Sequence, residues 1–271
     1  VRLQDMGVLR ATGEITQLGL WEVPLTVFCV VGVVNAINMA DGLDGLSSGL
    51  VGIALAAMLF ESSMAGRIAD ASVLAVLLSA VFAFWLMNTR APGRERANAF
   101  LGDAGSLFLG FVLAWFVVDL SQGDARTLSP VQALWFVAIP LLDTVRLLLW
   151  RAAAGRSPSR GDQEHLHHLL RRVGLNHGMS VAIILALAVL GVAVGIGGPR
   201  LGVSEVILFN AFMVVFTTYS LLLGYTWWRK RFLVWPLLQR VNVADRRQES
   251  DRRDETERRQ GGRRTSTERR N

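Results

Sequence analysis

The stretch Asn35–Leu46 reads NAINMADGLDGL and closes an apolar run, Leu20 to Val34, that is uncharged apart from Glu22. Asn35, Asn38, Asp41 and Asp44 follow one another at a spacing of three. Residues at i and i+3 are neighbours on a helix, so these side chains form a slowly winding polar stripe. Gly42 and Gly45 weaken a helix there and let backbone approach a ligand closely. Two carboxylates at the mouth of a membrane-length segment are costly unless something cationic pairs with them. The stretch reads either as a polar interfacial loop capping the next helix or as a site for a hard metal ion or polar substrate.

Outward from it the chain is apolar. Of 271 residues 52% are hydrophobic and only 18% charged, with mean hydropathy +0.38. A soluble domain would disperse more charge through its sequence. Here long apolar runs come first and a dense Arg-rich tail last, the pattern of an all-α polytopic membrane protein. Seven segments approach the roughly 20 residues needed to cross a bilayer: 20–39, 46–64, 71–88, 105–120, 130–150, 179–197 and 203–228. The runs are continuous rather than alternating, which argues against strands. Residues 1–19 read as an extramembrane approach, 20–230 as the membrane domain and 231–271 as a basic tail. Cys29 stands alone inside an apolar run, so no disulfide framework forms within the chain. The chain starts at Val1 with no leader pattern, and it is expected to be a fragment whose natural start lies upstream.

Basic residues set the orientation. With the Asp41/Asp44 end in the cytoplasm, that side holds 23 Lys and Arg against five on the other. The polar stretches NAINMADGLDGL, TRAPGRERANAFLGDAGS (89–106) and RSPSRGDQEHLHHLLRR (156–172) then share the cytoplasmic face. From Ala244 onward the tail has ten arginines, seven acids and no large apolar residue. Such a composition cannot bury a core and is expected to be disordered, a solvated segment touching anionic headgroups. It lacks interleaved aromatics for base stacking, so no nucleic-acid partner is expected.

Asp103, in FLGDAGS, is flanked by Gly102 and Gly105, which suits a turn that aims one carboxylate, although a simple helix-capping Asp fits as well. With Asp41 and Asp44 it makes three carboxylates on one face that could gather around one Mg²⁺. That ion prefers one or two carboxylates plus water and phosphate oxygens. His165 and His168 share a helical face, and His167 points elsewhere. Zinc would want a nearby cysteine or a different histidine spacing. Imidazoles among Arg156, Arg160, Arg171 and Arg172 suit an anion such as a pyrophosphate better, and a plain polar loop stays open. Asp143 lies inside the fifth span with Arg146 one turn on, an intramembrane pair of a kind that can mark a cavity. Asn88, at the cytoplasmic end of the third span, is a candidate polar contact for a substrate.

NAINMADGLDGLSSG, FLGDAGSLFLGF, ALWFVAIPLLD and RSPSRGDQEHLHHLL, in this order, resemble the polyprenyl-phosphate N-acetylhexosamine-1-phosphate transferases, over about residues 20–230. EHLHHLL is similar to the branch that uses UDP-GlcNAc or a related sugar nucleotide. The resemblance implies that undecaprenyl phosphate attacks the β-phosphorus of a UDP-N-acetylhexosamine and releases UMP, as a first step of bacterial cell-envelope glycan synthesis. It implies Asp41, Asp44 and Asp103 as catalytic residues, with Asp103 and Asp44 as ligands of Mg²⁺, which Mn²⁺ could replace. It also implies Asn35, Asn38, Asn88, Phe100 and Arg156 as substrate contacts, and His165, His167 and His168 around the diphosphate. The expected setting is the bacterial inner membrane, among membrane lipids, with the site facing the cytoplasm and a homodimer allowed. The family carries an Asp-Asp motif on an earlier cytoplasmic loop. This chain has no such pair, its only acid before Glu14 being Asp5, which the truncated reading accommodates. A lipid or ion transporter, or a catalytically incomplete scaffold, are the competing readings; the absence of an internal repeat and the gathering of polar motifs at one end disfavour the transporter.

Overall fold

A computed structural model of the protein describes residues 1–90, 96–153, 155 and 165–229. The expected tail from 231, and Arg156, lie outside the described residues. Two compact units separate at Phe216 and Thr217, and the described part of the second is the helical end of α9.

The first unit opens with strands β1 (Asp5–Val8) and β2 (Ile15–Gln17), paired antiparallel. Sequence reading expected only an approach here. The hairpin is tied to residues 122–129, because Gln122 Oε1 accepts the Gln4 and Asp5 amides at 2.8 and 3.1 Å. A short 3₁₀ turn, Gly19–Trp21, then leads into α1 (Glu22–Ala40). There follow α2 (Leu46–Met64), α3 (Ile68–Asn88), α4 (Gly102–Ser121), α5 (Pro130–Phe136), α6 (Ala138–Ala153), α7 (Leu166–Arg172), α8 (His177–Arg200) and α9 (Glu205–Arg229).

Six of these helices are long and apolar enough to cross a membrane, and a seventh crossing exists if α5 and α6 are one broken span. The two meet at 88°, so the expected single helix over 130–150 is bent. Pro140 explains the bend. A proline lacks the N–H that would bond the carbonyl four residues back, and its ring collides with that carbonyl. A straight helix through Phe136 and Pro140 is therefore excluded, and starting α6 at Ala138 places Pro140 in a first turn where no such bond is needed. A capping box starts α5: Ser129 Oγ accepts from the Gln132 amide at 3.2 Å, and Gln132 Oε1 accepts from the Ser129 amide at 2.8 Å.

The core lies among α1, α2, α3 and α4, where Ile37, Val51, Leu55, Met58, Leu74 and Leu113 are nearly solvent-free. α2 is central, with 67% of its span buried against 11% for α3. Lipid tails are as apolar as leucine, so close packing rather than exclusion of water holds such helices together. Gly110 shows this: a Cβ there would lie 2.8 Å from Val34 Cα, so α4 and α1 pack at a distance only glycine permits. A second cluster, Leu46, Leu50, Val181, Ile184 and Ala188, packs α8 against α2 directly beneath the acidic loop.

Candidate active site

The acidic loop spans residues 41–45, between α1 and α2, and every anchor that shapes it comes from another helix end. Gly45 turns with φ +81°, a conformation that favours glycine. Its amide donates to Asn88 Oδ1 at 2.9 Å, and its carbonyl accepts from Trp85 Nε1 at 3.0 Å. Asn88 Oδ1 also accepts from Ser48 Oγ at 3.1 Å, while its Nδ2 donates to the Ala99 carbonyl at 2.8 Å. Asn88 is buried, and three of its hydrogen-bonding positions serve the protein itself, joining α2, α3 and the 96–101 segment. His177, at the start of α8, donates from Nε2 to the Asp44 carbonyl at 3.1 Å.

Asp103 stands in the first turn of α4, where the helix N-terminus favours a carboxylate. Asn38 Nδ2 donates to Asp103 Oδ1 at 3.3 Å and to Ser106 Oγ at 2.8 Å, which fixes the end of α1 against α4. Burial, then the Asp103 carboxylate, then that of Asp44 push Asp41 up to about 6. The three acids are thus close enough to repel. Arg90 Nε meets Asp44 Oδ2 at 2.7 Å. Among the described residues the Asp41 carboxylate has no hydrogen-bond or ion-pair partner, and that of Asp103 has only the Asn38 side-chain amide. Two acids without a cation, crowding a third, form a place where a positive ligand is stabilised. Among the described residues no three His, Cys, Asp or Glu side chains converge to enclose a metal. Carboxylate oxygens are hard donors, the kind that Mg²⁺ takes together with water or phosphate oxygens.

The histidines approach this loop from α7. His167 lies over Gly42 so closely that a Cβ on that glycine would sit 2.4 Å from Nε2. The His165 and His167 rings stack at 5.7 Å, and the His167 and His168 rings lie 4.1 Å apart. Burial, then His168 and His165, hold His167 down to about 4 against a smaller opposing pull from Asp143, so at neutral pH this imidazole is uncharged. His168, half-exposed, is also held below its ordinary value, by burial, His165 and Arg172. His165 is buried, with Nδ1 2.9 Å from Asp143 Oδ2. Of the other residues read from sequence, Asn35 is exposed and bonds back to the Val31 carbonyl at 2.9 Å, and Phe100 is 72% exposed at the rim. Sequence reading passed over Ser106, His177 and the pairing of Arg90 with Asp44. His177 and Asp44 are 133 residues apart and no local pattern announces their contact; the Gly-Asp-Ala-Gly-Ser stretch at 102–106 was a usable cue for Ser106.

The helices define a multi-pass membrane protein that gathers the acids and the histidines at one end of the bundle. The glycosyl transferase family 4 profile matches residues 1–121. The chain is 33% identical over 233 residues to an undecaprenyl-phosphate alpha-N-acetylglucosaminyl 1-phosphate transferase of Yersinia pestis, covering 83% of this chain and 63% of the relative. It is 32% identical to the enzymes of the same name from Escherichia coli strain K12, over 85% of this chain, and Salmonella typhi, over 92%. The family match takes in the first 121 of the 271 residues, and the similarity to these relatives runs over most of the chain. The chain spans about 63–66% of the length of these relatives.

Proposed function

We propose that the protein transfers an N-acetylhexosamine-1-phosphate, GlcNAc-1-phosphate first among the candidates, from a UDP-sugar to undecaprenyl phosphate. An oxygen of the lipid phosphate bonds to the β-phosphorus, the bond from that phosphorus to the bridging oxygen breaks, and UMP leaves with the electron pair. The observation that carries the reading is the meeting of Asp41, Asp44 and Asp103 with the α7 histidines on one end of the bundle. The relatives' names supply the acceptor and the transferred group as the reaction to test.

Phosphoryl transfer asks a protein mainly for positioning and charge neutralisation. Asp103 and Asp44 would hold Mg²⁺, or Mn²⁺ in its place. When bound, the ion would offset the charge of the donor diphosphate. Asp44 would exchange its Arg90 partner for that ion, which frees a guanidinium for a phosphate. His168, the more open of the α7 imidazoles, would donate to the diphosphate, and neutral His167 would contribute a hydrogen bond without a charge. Asn35, Phe100 and Arg156 remain candidates for the nucleotide rim. Apolar helix faces give the polyprenyl tail a place to lie while its phosphate meets a soluble nucleotide. The excess of basic residues at this end supports a cytoplasmic site in a bacterial inner membrane. As a test, Asp103→Asn in the full chain is assayed with radiolabelled UDP-GlcNAc and undecaprenyl phosphate. Mg²⁺-dependent transfer should disappear; near-normal turnover would take Asp103 out of the metal site.

A further inference from the structure

Asp143 is placed by the broken span. α6 leaves the 88° bend carrying Asp143, Thr144, Arg146 and Arg151 on a buried face. Among the described residues the Asp143 carboxylate meets His165, Arg146 and the Leu166 amide. Oδ2 lies 2.9 Å from His165 Nδ1, and Oδ1 accepts from Arg146 Nη2 at 3.3 Å. The Leu166 amide, the first of α7, donates to both oxygens at 3.2 and 3.3 Å. A seven-residue helix such as α7 cannot hold its own shape in isolation. Its start is fastened to α6 by this carboxylate, one residue before the His167 ring that covers Gly42.

We propose that Asp143 is the positioning residue of the histidine segment: it fixes the proton of His165 on Nδ1 and holds α7 in register over the acidic loop. A carboxylate only accepts, so the nitrogen facing it must carry hydrogen. His165 Nε2 is thereby left as the variable nitrogen, and the stacked His167 ring is set at a fixed height over Gly42. The contribution to transfer rests on the function proposed above; the link between Asp143 and His165 does not.

Asp143→Asn separates geometry from charge. Arg146 Nη2 and the Leu166 amide both donate to the Oδ1 position, which keeps the amide oxygen there and turns the amide NH₂ toward His165 Nδ1. That arrangement forces the His165 proton to Nε2. The chain has four histidines, so ¹⁵N-histidine spectra of the full chain in lipid can be assigned with His165→Gln. In the wild type the His165 signal should show a protonated Nδ1; a bare Nδ1 with the proton on Nε2 overturns the proposal, with no variant of Asp143 required. In Asp143→Asn the proton should move to Nε2, and turnover should fall about 10- to 100-fold with little change in donor KM. An unmoved tautomer, or full turnover with a moved one, also overturns it. If the wild type transfers no sugar phosphate to undecaprenyl phosphate, the functional reading falls, and the tautomer still decides the link to Asp143.

Discussion

Gly42 shows how a residue can be singled out correctly for a reason other than the one that holds. Its small size was read from sequence as room for backbone to meet a ligand, and in the structure the space is taken by His167. Gly42→Ala would place a methyl group 2.4 Å from Nε2 and 2.9 Å from Cε1 of a buried ring. Overpacking of this kind costs about 1–3 kcal/mol. The expected outcome is a lower melting temperature in detergent and reduced turnover, with His167→Ala in the same chain restoring part of the melting temperature. Additive losses in that double-mutant cycle would mean the two residues do not touch. His167 also gives a pH dependence whose sign is fixed. Its folded pKa, about 4, lies below the ordinary 6.5, so the unfolded chain binds the proton first. Stability from this group is present above about pH 6.5 and declines as pH falls toward 4. Melting curves from pH 7.5 to 5 should slope downward with acid in the wild type and slope less in His167→Gln.

At the scale of the element, the helices were legible because each span is a continuous apolar run, and α2, α3 and α8 begin and end close to the composition changes that announce them. The bend between α5 and α6 was not, although Pro140 stood in the sequence as its cause. A proline inside a membrane-length run is compatible with either a kinked or a broken helix, and only the packing of Trp135 and Phe136 against α8 selects the break. The hairpin over residues 1–17 was hidden for a different reason: its strands are short, and their partners, Gln122 and Glu205, lie more than 100 positions away. Asn88 was legible as a polar residue at a helix end, but its work is to pin three segments together. Asn88→Ala strands the Gly45 amide and the Ala99 carbonyl in a buried place, a cost of about 1–3 kcal/mol per unsatisfied group. The melting temperature should fall and the acidic loop should lose protection in hydrogen exchange, and an unchanged loop would show that Trp85, His177 and the packing of His167 hold it without Asn88.

At the scale of the whole molecule, basic residues gather toward the end that carries the acids and the histidines. The loops carrying Asp41, Asp103 and the histidines share one end: Asn38 at the end of α1 meets Asp103, and His167 lies over Gly42. The acids were legible from their spacing of three, while their mutual closeness, felt by Asp41, came only with α1 and α4 packed through Gly110. The final prediction concerns the sequence from Ala244, whose ten arginines and seven acids make it the most charged part of the chain and yet the least suited to a site. All described anchors of the acidic loop and of the histidines come from residues 38 to 177. Without the tail, 13 basic residues still stand on the site's side against five on the other, so the orienting bias survives. Deletion beyond Val243 should therefore leave turnover in detergent largely unchanged. In vesicles it should weaken only the response to anionic lipid, since each arginine near such a surface adds about 1 kcal/mol of attraction that salt screens. A large loss of turnover in detergent, where no anionic surface is present, would instead place the tail within the site.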